Sequence, residues 1–175
     1  DGRLWRFDIQ LDGSDVPTMP NDAVKVYDLT EKQPNFASMA TVNIGGASQY
    51  LFQGTGSELL PANGVNYSYS LFVILDNGGS GTKKAQIDLT VTDSLAQDEK
   101  VTGFPAVAGD IVFFTTTTFH PSTPCTLPDA NLYALTFIGG PAYDNTGDDR
   151  ITNADTAKVK TVTGARASAP FIVDQ

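Results

Sequence analysis

Basic residues are scarce in this chain. Eleven Lys and Arg stand against 20 Asp and Glu in 175 residues, giving a formal net charge of −9 and a pI near 4.3. That balance argues against a phosphate-backbone binder, whose affinity rests on clustered cations that displace counterions, and it disfavours anionic membrane surfaces. Histidine and cysteine occur once each, as His120 and Cys125. An internal disulfide and every multi-cysteine metal site are therefore excluded. Cys125 reads either as a thiol without a role or as half of a bridge to a cysteine on another chain or on a further part of this one. No apolar run approaches the roughly 20 residues that span a bilayer, and no basic segment followed by an apolar one opens the sequence. No membrane span is expected, and any export signal would lie outside this sequence.

Helical periodicity is nearly absent as well. What the chain does have is 41% hydrophobic residues with only 18% charged, enough apolar material for one folded domain and too little charge for disorder. Short β-branched and aromatic runs alternate with Gly, Pro, Asn and Asp, the pattern of an all-β domain built from short antiparallel strands.

The runs repeat. Leu4-Trp5-Arg6-Phe7-Asp8, Leu71-Phe72-Val73-Ile74-Leu75-Asp76 and Leu132-Tyr133-Ala134-Leu135-Thr136 each pair Leu with an aromatic residue at the head of an apolar strand. Upstream of the last two lie Tyr50 to Gly56 and Ile111 to Thr117, preceded in turn by Ala40 to Ile44 and Phe104 to Ala108. The unit reads as a strand, a turn at Gly45-Gly46 or Gly109-Asp110, a buried strand, a long loop and the Leu-aromatic strand. A fourth strand follows at Ala85 to Val91.

Four antiparallel strands per repeat is the blade of a β-propeller. Residues 36–100 then make one blade and 101–165 a second, while 1–35 supply the end of an earlier blade and 166–175 the first strand of a further one. Propellers close with roughly four to eight blades, so a partial β-propeller is expected, an arc whose complement comes from another chain, from the remainder of a parent protein or from several copies. The alternative is a small sandwich that happens to repeat.

The most specific chemical signal is Asp144-Asn145-Thr146-Gly147-Asp148-Asp149-Arg150-Ile151-Thr152-Asn153-Ala154-Asp155. Read as a twelve-residue calcium loop, it places side-chain oxygens of Asp144, Thr146, Asp148, Thr152 and Asp155 at the first, third, fifth, ninth and twelfth positions, with the Arg150 carbonyl at the seventh. Calcium is a hard cation that takes about six to eight oxygens, which this set can supply. Ile151 would tuck inward. Asp149 stands where such loops place glycine, and Asp155 replaces a bidentate Glu. Asn153 to Val159 could form a short exiting helix, whereas Gly139-Gly140-Pro141 forbids an entering one. The competing reading is a solvated acidic turn.

Other features read as structural. His120, with Pro121, Pro124 and Cys125, lacks the further ligands of a soft-metal site, so a constrained loop is expected. Gly54-Thr55-Gly56 reads as a turn leaving a buried strand rather than a phosphate loop. Trp5, Tyr67, Tyr69 and Tyr133 read as packing residues, and Lys83-Lys84 as a solvated hairpin tip. Function should reside in the long inserts Ser57 to Ser70 and His120 to Ala130 and in the acidic loop.

The segments Gly2 to Asp8, Phe52 to Gly56, Val112 to Thr116, Pro124-Cys125 and Asn131 to Leu135, taken in order, resemble the C-terminal propeller of the PilY or PilC-type pilus tip proteins. The resemblance implies a non-enzymatic, exported protein at the cell surface or pilus tip. Its partners would be pilins or minor pilins, its role pilus assembly, retraction control or adhesion, and Asp144 to Asp155 its calcium site. Two alternatives stand beside it: a generic extracellular binding propeller, and a quinoprotein dehydrogenase, whose tryptophan-containing docking motifs find only Trp5 here.

Overall fold

The apolar run from Leu71 to Leu75 decides the architecture. A strand that buries one face alternates apolar and polar residues, whereas a continuous apolar run marks a strand covered on both faces. In the computed structural model, which describes residues 2–29, 37–56, 69–89, 98–120, 123, 125–152 and 154–173, every side chain from Ser70 to Ile74 is buried.

The described residues form strands and no helix: β1 (Arg3–Arg6), β2 (Gln10–Leu11), β3 (Pro17–Thr18), β4 (Val24–Asp28), β5 (Ala40–Gly45), β6 (Ser48–Gly54), β7 (Ser70–Asp76), β8 (Thr82–Asp88), β9 (Asp98–Val101), β10 (Ala106–Ala108), β11 (Ile111–Phe119), β12 (Asp129–Thr136) and β13 (Lys158–Val162). They make four antiparallel sheets. β1 pairs with β4, and β2 with β3; β5-β6-β7-β8 is a meander in sequence order; β10-β11-β12-β13 is a second meander with β9 added on β11. Gly45 and Gly46, at φ of 107° and 62°, make the tight turn between β5 and β6 that only glycine enters without cost.

The sheets stack. On one face of the central meander Leu51, Phe72 and Ile74 pack against Leu4, Val26 and Leu29 of the β1–β4 side. On its other face Phe52 and Val73 meet Val112, while Leu71 joins Val101, Phe114, Tyr133 and Leu135 of the five-stranded sheet. Gly54 marks a close approach: a Cβ there would sit 2.3 Å from Val101 Cγ1. Beside it Thr55 bonds in both directions, its N–H to the Ser70 carbonyl and its own carbonyl to the Val101 N–H. The glycines of Gly54-Thr55-Gly56 therefore serve sheet contact.

Several sequence expectations are modified. The division near residue 100 falls inside β9, which bonds to β11 along Thr116↔Val101 to Phe119↔Asp98 and so joins the later sheet. The segment 166–173 is not a strand; among the described residues it has no ladder partner, and its backbone is bonded instead by side chains of β11, with Ala167 N–H donating to Thr117 Oγ1 and Thr115 Oγ1 donating to the Ser168 carbonyl. No helix follows the acidic loop, because the β-branched run after it pairs with β12 as β13. Lys83 and Lys84 lie exposed within β8 rather than at a hairpin tip. Trp5 is 46% exposed, not packed. Tyr67, Thr90 and Val91, and most of Ser57 to Ser70, lie outside the described residues.

One ion pair fastens β1 to the central meander. Asp76 is buried, and Arg6 Nη1 donates to both of its oxygens at 2.7 Å. The same guanidinium reaches the Gly78 carbonyl at 2.7 Å and Asp8 at 2.9 Å. Burial pushes the Asp76 carboxyl up, but the Arg6 bond, with help from the Gly78 N–H and Gln49, outweighs it and holds the group below its ordinary value.

Removing one partner of such a pair strands a buried charge, so Arg6→Ala should cost about 3–5 kcal/mol in urea unfolding, and Arg6→Met with Asp76→Leu should recover most of it. A single-variant loss below about 1 kcal/mol, the range of an exposed pair, would contradict this account.

Candidate functional site

The acidic loop is an excursion between β12 and β13, and one residue ties both of its ends. After β12 the chain turns at Gly139, φ 86°, and doubles back so that Pro141 bridges Leu135. Ala142 N–H then donates to the Ala134 carbonyl at 3.1 Å, and Ala134 N–H donates to the Ala157 carbonyl at 2.9 Å. The loop thus leaves and re-enters on the two hydrogen-bonding groups of Ala134, itself buried in the five-stranded sheet.

Within the loop the carboxylates organise the backbone. Asp144 Oδ1 accepts the Gly147 N–H at 2.6 Å and the Thr146 hydroxyl at 3.2 Å, and its Oδ2 accepts the Asp149 N–H at 2.8 Å. Asp155, which is buried, accepts the N–H groups of Asn145 and Thr146 on Oδ1 at 3.0 and 3.2 Å. Its Oδ2 accepts the Thr152 N–H at 2.7 Å and the Thr152 hydroxyl at 3.4 Å. Asp148 Oδ1 accepts the Arg150 N–H at 3.0 Å. The Gly147 N–H, foremost, holds the Asp144 carboxyl below its ordinary value, and the Thr152 N–H does the same for Asp155.

The structure therefore brings Asp144, Thr146, Thr152 and Asp155 into one bonded turn, with Asp148 and Arg150 on the intervening arc. Asp149 adopts φ 62°, the left-handed conformation for which calcium loops keep glycine at this position. Aspartate is among the few residues that enter it at modest cost, so this departure from the pattern is accommodated locally. Ile151 does not tuck inward: it is 57% exposed. Asn153 lies outside the described residues.

Among the described residues no three acidic, histidine or cysteine side chains converge to hold a metal ion. The loop carboxylates are engaged by backbone N–H groups. An ionised carboxylate offers about four acceptor positions, and Asp155 already uses four. The donor set suits a hard cation, and coordination by Asp155 would exchange some of those N–H bonds for the ion.

A second polar cluster escaped the sequence reading. Glu99 of β9 is buried, and its Oε1 accepts from Tyr133 OH at 2.6 Å, Thr116 Oγ1 at 2.5 Å and Asn131 Nδ2 at 3.2 Å. Lys158 Nζ sits 3.1 Å from Oε2 and 5.2 Å from the centre of the Tyr133 ring. Burial, then the Glu99 charge, pushes the Tyr133 hydroxyl far above its usual range, so it remains a donor. Lys158 follows Asp155 by three residues, so this cluster anchors the loop's exit. Nothing in the stretch Asp98-Glu99-Lys100 itself marks a buried group; only Tyr133 and Thr116, on neighbouring strands of the same sheet, could have signalled a buried carboxylate.

Elsewhere, His120 Nε2 lies 3.1 Å from Asp129 Oδ2, a loop constraint as expected, and the Cys125 thiol is exposed. Pro121 and Pro124 lie outside the described residues.

Two outcomes test the loop geometry. Asp149→Val should cost about 1–2 kcal/mol in thermal unfolding, since a β-branched residue is forced left-handed, while Asp149→Gly should stay within about 0.5 kcal/mol. Asp155→Ala should lower the midpoint at neutral pH. A carboxyl held low in the folded state stabilises above its unfolded value of 3.8, and that stabilisation is lost as pH falls through the lower folded value. The gap between variant and native protein should therefore close in acid, and a gap constant down to the acid limit would contradict the assignment.

No family model, curated protein or solved structure matches this chain, so its function is read from the loop, the strand order and the residues themselves.

Proposed function

We propose that this chain is a non-enzymatic, calcium-binding arc of a β-propeller, exported and carried at the tip of a pilus, where it acts in pilus assembly, retraction control or adhesion. The observation that carries the calcium reading is the left-handed Asp149 at the sixth position of a twelve-residue acidic loop whose first and last carboxylates organise the intervening backbone. Asp144, Thr146, Asp148, Thr152 and Asp155 supply side-chain oxygens and Arg150 its carbonyl.

The propeller reading is supported by two meanders that stack in sequence order, each with the long loop before its Leu-aromatic strand. The pilus assignment rests on the resemblance of those strands, in order, to the pilus tip proteins. A complementary propeller chain or the remainder of a parent protein would continue the stack, pilins or minor pilins would be the assembly partners, and the exposed Cys125 thiol is accessible to a companion's cysteine. Among the described residues no helix is long and apolar enough to cross a membrane.

Calcium would relieve the mutual repulsion of Asp144, Asp148, Asp149 and Asp155 and tighten an excursion anchored on Ala134 and Lys158. Binding only to the folded state adds about 2.7 kcal/mol when free calcium is a hundredfold above its dissociation constant.

Calorimetric titration of chelator-stripped protein should give one calcium site, lost in Asp144→Ala and weakened in Asp148→Ala. Absence of heat at millimolar calcium would end the calcium reading. Antibody labelling of intact filaments should mark their tips, and a uniform cell-body distribution would end the pilus reading.

A further inference from the structure

The β2–β3 hairpin is built the wrong way round for a surface element. Its register pairs Gln10 with Thr18 and Leu11 with Pro17, so Leu11 and Pro17 share one face, which Ile9 and Met19 continue. That is the exposed face: Ile9 is 65%, Leu11 64% and Met19 62% accessible, and Pro17 is exposed. On the polar face Thr18 is partly covered and Gln10 is exposed. An ordinary hairpin at the edge of a domain turns its apolar side chains inward.

The hairpin does not depend on packing for its shape. Asp12 Oδ1 accepts the N–H groups of Ser14 and Val16 at 2.8 and 3.0 Å, Asp12 N–H returns to the Val16 carbonyl at 2.9 Å, and Thr18 Oγ1 donates to the Gln10 carbonyl at 3.2 Å. At its base Asp8 is held by Arg6, which is itself locked onto buried Asp76. A self-organised turn on an ion-paired foot thus presents four apolar side chains together to solvent, and contiguous apolar exposure, unlike scattered single residues, marks interaction surfaces.

Charge selects the occupant. Between Phe7 and Val24 the chain carries Asp12, Asp15 and Asp22, with Asp8 paired to Arg6, and no Lys or Arg. An acid-rimmed apolar face repels a second copy of a chain whose net charge is −9, and it repels an anionic bilayer. It complements a protein surface with an apolar groove edged by Lys or Arg. We propose that the outward face of the β2–β3 hairpin, Ile9, Leu11, Pro17 and Met19, is a docking surface for a cationic partner protein presenting such a groove. The inference is independent of the calcium reading, since the hairpin belongs to the β1–β4 side of the stack and the acidic loop to the other.

The test uses the full chain and a short synthetic peptide of alternating Lys and Leu, with an alternating Glu and Leu peptide as control. The Lys–Leu peptide should bind in calorimetry and shift the methyl resonances of Ile9, Leu11 and Met19, with affinity falling as salt rises. Leu11→Ser with Met19→Ser should weaken it about 10-fold, equivalent to roughly 1.4 kcal/mol, with circular dichroism unchanged. Asp15→Asn with Asp22→Asn, which leaves the apolar face intact, should weaken it about 3-fold at low salt. Equal binding to the Ser variant would mean adsorption to general negative charge and would overturn the proposal. So would equal binding of the Glu–Leu peptide, hairpin-dependent self-association in sedimentation, or hairpin-dependent partitioning onto vesicles of neutral lipid.

Discussion

Burial of β6 and β7 on both faces is the constraint on which the rest of the molecule hangs. Phe52, Leu71 and Val73 face the five-stranded sheet while Leu51, Phe72 and Ile74 face the β1–β4 pair, so neither face of the central meander can be left to solvent. Each such side chain gains roughly 1.5–3 kcal/mol from full burial, and the sum requires a neighbour on either side. The sheets must therefore stack, and anything polar that enters the stack must bring its partner. Asp76 does so with Arg6, and Glu99 with Lys158 and Tyr133.

That constraint also fixes where variable elements can go. Strand positions within the stack are committed to packing, so insertions are tolerated only where the chain leaves a sheet. The two elements with distinctive chemistry lie at such exits. The acidic loop departs from β12 and returns to β13 on the backbone of one buried alanine, and the apolar hairpin departs from β1 and returns to β4 on the Arg6–Asp8–Asp76 foot. Each is ordered by its own carboxylate-capped turn, Asp144 and Asp155 in one and Asp12 in the other.

Much of this was legible in the amino-acid sequence because the physical signal was local. The glycine pair announced the β5–β6 turn, and the Leu-aromatic repeats put β7 and β12 in equivalent places. The carboxylate spacing of the acidic loop was likewise visible, and Asp149, a departure from the glycine of calcium loops, adopts a left-handed φ of 62°. What was not legible depended on distant partners. β9 is written Asp-Glu-Lys-Val, and its buried Glu99 makes sense only beside Tyr133, Asn131 and Lys158. The stretch from Ala169 to Val173 has strand-forming residues but, among the described residues, no ladder to join. Trp5 reads as core, yet the bulge between Leu4 and Trp5 accompanies its outward placement. Ile151 reads as an inward anchor, but the loop carboxylates satisfy the backbone without it.

Native-state hydrogen exchange tests the central claim, two-sided burial of the central meander, most directly. Amides of β6 and β7 should exchange only through global unfolding, at the free energy measured by denaturant, with β1, β4 and β13 opening earlier and the β2–β3 hairpin earliest. Exchange of β6 and β7 through openings no costlier than those of the hairpin would mean that one of their faces is open to water, and would contradict the stacked arrangement.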